Sequence, residues 1–231
     1  MPRKQATTLS EIAEAALNHI SRHGFKQTQM SDIAKATGTS AGTLYLYVEN
    51  KEALLALTSS FLLNPAELEA SPLPFKAAAR EELAKLFAER ALELATWPKL
   101  DQAIKDKTSD PDRFKAVGYE MFDLMSANRR AIWFLDRLAF ELPEFAPVQL
   151  TSVRGRTLGL LTDLLEATGK SSIPPHGLAV MARAAIETLA WSAMHRHREG
   201  LDAQPMDKLS EEFIRDLAVQ AFSGTLQAAL R

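Results

Sequence analysis

Hydroxyl, phenol and ammonium side chains are concentrated between positions 39 and 51, where they are mixed with small residues. Hydroxyl groups can donate or accept hydrogen bonds at base edges, and the methyl groups of Ala41 and Thr43 can touch the methyl group of thymine. The phenols of Tyr45 and Tyr47 and the ammonium of Lys51 can bind phosphate oxygens. These residue types therefore predict a segment that contacts the bases and the backbone of duplex DNA.

Three short helical patterns would hold this segment in place. Leu9 to Ile20 carries one apolar stripe at three- and four-residue steps, which is typical of an amphipathic helix, and Gly24 ends it. Thr28 suits the N-cap of a second helix, which stops at Gly38 because glycine accepts the left-handed backbone of a tight turn. Ser40 is the expected N-cap of the third helix. The arrangement predicts a helix-turn-helix, whose last helix enters the major groove of DNA.

This stretch resembles the N-terminal signature of the tetracycline-repressor (TetR) family. The matching residues, in order, are Thr28, Ile33-Ala34, Gly38, Gly42 to Tyr45, Tyr47, and Lys51 to Leu55. The resemblance covers about the first 60 residues, and it implies phosphate contacts at the positions of Tyr45, Tyr47 and Lys51. The predicted DNA-binding residues are Thr28, Thr39, Ser40, Ala41, Gly42, Thr43, Tyr45, Tyr47 and Lys51.

Some of these residues also have a purely structural interpretation. Tyr45 and Tyr47 are two positions apart, so they point to different faces of a helix and are not expected to face DNA equally. Lys51 alone would be a solvated charge, although the free amides at the start of a fourth helix add positive potential there. Val48 stands where the family usually has an aromatic residue, so looser packing is expected beside the predicted recognition helix.

The charge of the chain gives DNA binding only weak support. The 231 residues carry a formal net charge of −2, and residues 1–60 hold six basic and five acidic side chains. A DNA-binding domain usually has a basic excess, because it must neutralise phosphates. DNA affinity is therefore expected to depend on where single cations and amides lie, and on the pairing of two DNA-binding domains.

Proline marks a boundary after the fourth helix, which is expected from Lys51 to about Leu63. Three prolines lie between Pro65 and Pro74, and proline stops helices and stiffens linkers. We therefore predict a DNA-binding domain over residues 1–64 and a larger helical domain over residues 65–231.

The larger domain is also predicted to be helical. A long helix is expected from Phe75 to Trp97, a helical stretch from Asp112 to Leu142 is broken at Asn128, and two long helices end the chain. The predicted fold is all-α, with a three-helix helix-turn-helix domain at the N-terminus and about nine or ten helices in total.

The last two helices are predicted to form a homodimer interface, because one DNA-binding domain of this size buries too little DNA for strong selectivity. Their stripes of small and apolar residues would form an intermolecular four-helix bundle. The stripes are Leu178, Met181, Ala182, Ala185, Leu189 and Ser192 in one helix, and Leu209, Phe213, Leu217, Ala221 and Phe222 in the other. The alternative is that both stripes serve only the subunit's own core.

The resemblance also implies a small-molecule cavity in the larger domain, whose occupation changes the spacing of the two DNA-binding domains. The candidate cavity residues are Trp97, Tyr119, Phe122, Trp133 and Phe134. They are large and mostly apolar, as ligand pockets require, although each could equally be ordinary core. The expected effector is a small apolar or amphipathic molecule, which acts through a difference in DNA affinity between two dimer states.

These patterns favour a ligand-responsive transcriptional repressor that binds a palindromic DNA operator as a dimer. The alternative is an all-helical dimeric interaction module without DNA binding. No enzyme is predicted, because the sequence lacks a nucleophile elbow, a phosphate-binding glycine loop and cysteine. His195 and His197 would lie about 200° apart on a helix, so no metal site is predicted, and no cofactor is expected. Without a secretion signal or an apolar run of ~20 residues, the expected location is the cytoplasm.

Overall fold

Helices joined by turns make up the part of the chain that the structure, a computed structural model, describes: residues 7–169, 171–198 and 208–231. The α-helices are α1 (Leu9–His23), α2 (Met30–Ala36), α3 (Ala41–Leu44), α4 (Lys51–Leu63), α5 (Arg80–Leu94), α6 (Pro98–Lys105), α7 (Pro111–Ala127), α8 (Arg129–Glu141), α9 (Arg156–Ala167), α10 (Pro175–Ala193) and α11 (Glu211–Ala228). Three 3-10 helices cover Pro65–Ala70, Pro143–Phe145 and His195–His197, and a π-helix covers Val148–Gly155. Within these residues the only β-type pairing is one isolated bridge between Val48 and Phe75. The predicted all-α fold is confirmed.

Helix α1 forms where the apolar stripe predicts it. Thr8 caps the N-terminus in a capping box with Glu11. The apolar residues of the stripe are all buried: Leu9, Ile12, Ala13, Ala16, Leu17 and Ile20. Gly24 ends the helix with φ 93°, and its amide donates to the carbonyl of Ile20. The sequence therefore encodes both ends of α1 through residues within one turn of each end.

The next two helices begin after different kinds of cap. Gln29, not Thr28, is the N-cap of α2, and the carboxylate of Asp32 accepts from its amide at 3.1 Å. The prediction of Thr28 as the cap is wrong, because its hydroxyl is buried and donates to the carbonyl of Gly24 at 2.7 Å. Ser40 caps α3 as predicted, since its Oγ accepts from the amide of Thr43 at 3.0 Å.

Contacts within the chain define two compact units. The first, here called the reader unit, combines the described residues of Met1–Leu92 with Arg130–Ser152. The second unit combines Glu93–Arg129 with the described residues of Val153–Arg231. The predicted division of the sequence at residue 65 stays a prediction.

One apolar cluster runs through the reader unit and includes residues of α1 to α5 and α8. Phe134 of α8 is fully buried, and its ring lies 6.1 Å from that of Phe87 in α5. Val48 is also fully buried, and two hydrogen bonds flank its bridge to Phe75: the amide of Glu49 donates to the carbonyl of Phe75, and the amide of Phe75 donates to the carbonyl of Tyr47. Helix α5 begins only at Arg80, whose guanidinium pairs with both carboxylate oxygens of Glu52 at 3.1 and 2.5 Å.

In the second unit, α11 packs against α7 and α10. Phe222 is fully buried and lies against Gly118, where an added Cβ would meet its ring at 2.9 Å. Glycine at this position therefore permits the close approach of α7 and α11. Among the described residues, no helix combines the length and the apolar character that crossing a bilayer demands.

Candidate nucleic-acid interface

An exposed surface forms where the turn at Gly38 leads into α3. Ser40, Ala41 and Gly42 are exposed, and Thr39 and Thr43 are half-buried. Gly38 has φ 67°, and among the described residues beyond its two chain neighbours no atom lies within 4 Å of the place that a Cβ would take. Residues 39–45, here called the recognition segment, therefore present small side chains on an uncrowded surface, as close contact with base edges requires.

Hydrogen bonds within the recognition segment fix its hydroxyl groups. The Oγ of Ser40 accepts from the amide of Thr43 and lies 2.9 Å from the Oγ1 of Thr43. The Oγ1 of Thr39 lies 3.1 Å from that of Thr37. Because a hydroxyl has one donor and two acceptor positions, each keeps capacity for an external partner. Ser40 thus serves mainly as a cap, whereas Thr43 and Thr39 can offer hydrogen bonds to a base.

The two predicted tyrosine contacts lie in different surroundings. Helix α3 ends at Leu44, and the turn after it leaves Tyr45 48% exposed but Tyr47 only 7% exposed. Tyr47 belongs to the apolar cluster of the reader unit. The structure therefore adds Tyr45 to the exposed surface and leaves Tyr47 out of it.

Thr28 lies inside the turn between α1 and α2 and is 1% exposed. Its amide donates to the carbonyl of Phe25, and its hydroxyl donates to the carbonyl of Gly24. The Nδ1 of His19 lies 3.1 Å from that hydroxyl oxygen, and the nitrogen must be the donor because the hydroxyl proton is already used. Thr28 thus stabilises the turn from within and offers no free donor to a surface ligand.

Lys51 joins the start of α4 to the same turn. Its Nζ donates to the carbonyl of Lys26 at 3.0 Å and lies 4.8 Å from the centre of the Phe25 ring. Burial lowers the pKa of Lys51 from its ordinary value, although the carboxylates of Glu52 and Glu141 oppose the shift. The ammonium has three N–H donors and uses one of them for the Lys26 carbonyl, so donors remain for a phosphate. Its main role in this structure is to hold the turn.

The five candidate ligand residues are divided between the two units. Trp133 and Phe134 belong to the reader unit, and Phe134 is part of its core. Trp97, Tyr119 and Phe122 belong to the second unit. The predicted set therefore does not form one site within one unit.

Among the three candidates in the second unit, Trp97 has the most distinctive environment. It is 3% exposed, and its indole Nε1 has no hydrogen-bond partner in the part of the chain that the structure describes. Phe122 is 4% exposed, whereas the hydroxyl of Tyr119 donates to Asp216 at 2.8 Å. A buried donor without a partner is unfavourable, so Trp97 is the residue that would gain most from an acceptor on a ligand.

Sequence reasoning missed two residues that contact the turn between α1 and α2. The carboxylate of Glu141 accepts from the amide of Lys26 at 2.8 Å, and Arg137 donates to the carbonyl of His23 at 3.0 Å. The signal in the sequence is the spacing of Arg130, Arg137 and Glu141, which places the three side chains on one face of a helix. In the structure this face lies against α1, where Arg130 pairs with Glu14.

The turn at Gly38, the capped α3 and the exposed recognition segment define a helix-turn-helix DNA-binding domain. Residues 12–57 match the model of the bacterial regulatory proteins of the tetR family. This confirms the predicted resemblance of the N-terminal part of the chain to the TetR family.

Two relatives from Bacillus subtilis share this part of the chain. One is the uncharacterised helix-turn-helix regulator YvdT, 38% identical over 63 residues, which are 27% of this chain and 32% of the relative. The other is a fatty acid metabolism regulator protein, 39% identical over 75 residues, which are 32% of this chain and 39% of the relative. The chain thus spans less than two fifths of either relative. The matching family and both relatives are regulators of transcription rather than enzymes.

A likeness of fold extends further along the chain. The ketosteroid transcriptional regulator KstR2 of Mycobacterium tuberculosis aligns with 100% of this chain and 97% of its own, with a TM-score of 0.51 and 16% identity. The helices that follow the DNA-binding domain therefore share their fold with this regulator.

Proposed function

We propose that the protein is a ligand-responsive transcriptional repressor, which binds a palindromic operator as a homodimer and is released by a small apolar or amphipathic effector. The observation that carries this function is the recognition segment, whose small and hydroxyl side chains are exposed within a TetR-family DNA-binding domain. Thr39, Ala41, Gly42 and Thr43 contact base edges, and Tyr45 and Lys51 contact phosphates. Thr28 and Ser40 support the turn and the cap, and Tyr47 supports the core.

Exposed apolar residues of α10 and α11 support the dimer. Phe213 and Leu217 lie four residues apart on α11 and are 49% and 45% exposed. On α10, Val180 and Trp191 are eleven residues apart, three helical turns, and are also exposed. These exposed residues are not those of the predicted α10 stripe. Leu178 and most of the other stripe residues are buried within the subunit. The proposed interface is therefore the exposed face of these two helices rather than that stripe.

The effector is proposed to bind in the second unit. Phe122 offers an apolar contact, and the unpaired indole N–H of Trp97 offers one hydrogen bond to an acceptor atom. One donor in apolar surroundings suits an amphipathic molecule with a polar end. Substitution of Trp97 by Phe removes the donor and leaves a smaller aromatic ring, so it should weaken effector release of DNA without weakening DNA binding.

Selection of bound duplexes from a random pool, followed by a mobility-shift titration, tests the proposed function. We expect the full chain to recover a palindrome whose half-sites are about one helical turn apart, ~34 to 36 Å. Failure to retain any duplex at low salt would refute DNA binding and favour the interaction module instead.

Two pairs of variants test the assignment of individual residues. Thr43→Ala should change base preference, whereas Lys51→Ala should weaken binding to all sequences and lower the salt slope by about 1 per DNA-binding domain. Tyr45→Phe removes an exposed phenol and should weaken binding about two- to tenfold per DNA-binding domain, from the loss of one hydrogen bond. Tyr47→Phe removes a buried phenol by the same chemical change. Equal losses for the two tyrosine variants would contradict the assigned surface.

A further inference from the structure

Three polar side chains on one face of α8 attach this helix to α1 and to the turn after it. Arg130, Arg137 and Glu141 are seven and four residues apart, so they lie within about 40° of each other around the helix. Arg130 pairs with Glu14 near the middle of α1, and Arg137 donates to the carbonyl of His23 at its end. That carbonyl is one of those that a helix terminus leaves without a partner, and a cation is favoured there.

The peptide groups of Lys26 are bound by charged side chains from two helices. Its amide donates to the Oε2 of Glu141 in α8 at 2.8 Å. Its carbonyl accepts from the Nζ of Lys51 at the start of α4 at 3.0 Å. The Glu141 side chain is only 13% exposed, whereas Lys26 itself lies at the surface.

Gly24 allows α8 to come this close. A Cβ at Gly24 would lie 1.8 Å from the Oε1 of Glu141 and 2.9 Å from the Nε of Arg137. Any larger residue would displace these side chains from the turn. The contact therefore depends on features of three separate segments: the glycine, the face of α8, and Lys51.

We propose that Glu141 and Arg137 are positioning residues for DNA recognition. They hold the turn between α1 and α2, and through α2 they fix the orientation of the recognition segment. This role rests on the proposed DNA-binding function.

Removal of the Glu141 carboxylate tests this role against the effect of charge. Glu141→Ala and Glu89→Ala remove the same negative charge from the reader unit, but Glu89 is 55% exposed and pairs with Lys85 on its own helix. Charge alone predicts equal or tighter DNA binding for both variants, since DNA repels acids. The positioning role predicts about tenfold weaker binding for Glu141→Ala only. Glu141→Gln keeps an oxygen that can accept from Lys26, so its affinity should lie between those of Glu141→Ala and the wild type.

The probes are the duplex that the wild-type chain selects from a random pool and the same duplex with one base pair inserted between its half-sites. The insertion moves one half-site by about 3.4 Å. A loosened turn should accept it more readily, so Glu141→Ala should discriminate less between the two duplexes than the wild type. Amide-resolved hydrogen exchange, with helicity checked by circular dichroism, should show exchange at Lys26 about tenfold faster in Glu141→Ala than in Glu89→Ala.

The outcomes separate this role from the proposed function. If the wild type binds no duplex, the proposed function fails and the positioning role fails with it, whereas the exchange rate still shows whether α8 holds the turn. If the wild type binds and Glu141→Ala binds as tightly as Glu89→Ala, DNA binding stands and the positioning role is overturned. Unchanged exchange at Lys26 overturns the attachment itself.

Discussion

Replacement of Gly24 by alanine should destabilise the reader unit more than the same replacement at Gly38. Gly24 has φ 93° and ψ 159°, a region that is essentially restricted to glycine, so the backbone cost is about 1–3 kcal/mol. The new Cβ also displaces Glu141 from the amide of Lys26, and loss of a hydrogen bond to a charged group adds about 1.5–3 kcal/mol. We discount the second figure to about 1 kcal/mol, because the Glu141 side chain can partly move away. The expected total is about 3 kcal/mol.

Gly38→Ala is the matched control. Its φ of 67° is a left-handed conformation that costs alanine about 1–2 kcal/mol, and no neighbour lies within 4 Å of the new Cβ. The excess cost at Gly24 should therefore be about 1–2 kcal/mol, which is roughly a five- to thirtyfold change in the opening equilibrium. Native-state hydrogen exchange of α1 and α4 in the full chain measures this opening directly.

A double-mutant cycle identifies the source of the excess. In the Glu141→Ala background the displaced carboxylate is already absent, so Gly24→Ala should cost about 1 kcal/mol less than in the wild type. An identical cost in both backgrounds would show that Glu141 does not contribute. Equal free-energy costs for Gly24→Ala and Gly38→Ala would show that the close approach of Glu141 to Gly24 does not matter for stability.

Two other predictions concern the dimer and the effect of pH. Leu217→Glu should convert a dimer to a monomer in sedimentation at micromolar concentration, whereas Leu86→Glu, at a similarly exposed leucine of the reader unit, should not; a dimer that survives Leu217→Glu would discard the α11 face. Burial and the nearby His23 lower the pKa of His19, although Asp32 opposes the shift. The folded state therefore favours neutral His19, and the stabilisation that is present above the ordinary pKa of about 6.5 should be lost as the pH falls below it. His19→Gln should flatten this dependence in urea unfolding between pH 7 and 5, and an unchanged slope would contradict the assignment.

Local features of the reader unit could be predicted from the sequence. The stripe of α1 and the Ser40 cap depend on residues within a few positions, and both are present. The spacing of Tyr45 and Tyr47 predicted that they would face different surroundings. It could not predict which one is exposed, because α3 ends at Leu44 and the following turn sets the direction of both side chains.

Contacts between distant segments could not be predicted in this way. Glu141 and Lys26 are 115 positions apart, and neither residue type indicates a partner on its own. The last helices show the same limit, because periodicity identifies an apolar face but not what covers it. Leu189 of α10 is fully buried inside the subunit, whereas Phe213 of α11 is half exposed.

The distance along the sequence between α4 and α8 also has a consequence for synthesis of the chain on the ribosome. Glu141 follows Leu63, the last residue of α4, by 78 positions. At translation rates of about 5–20 residues per second, roughly 4 to 16 s pass between the two residues. During that interval a nascent chain has all the residues of its helix-turn-helix but not the carboxylate that holds Lys26. On this reasoning, the ability to bind an operator tightly is acquired late in translation, after the helix-turn-helix has been synthesised.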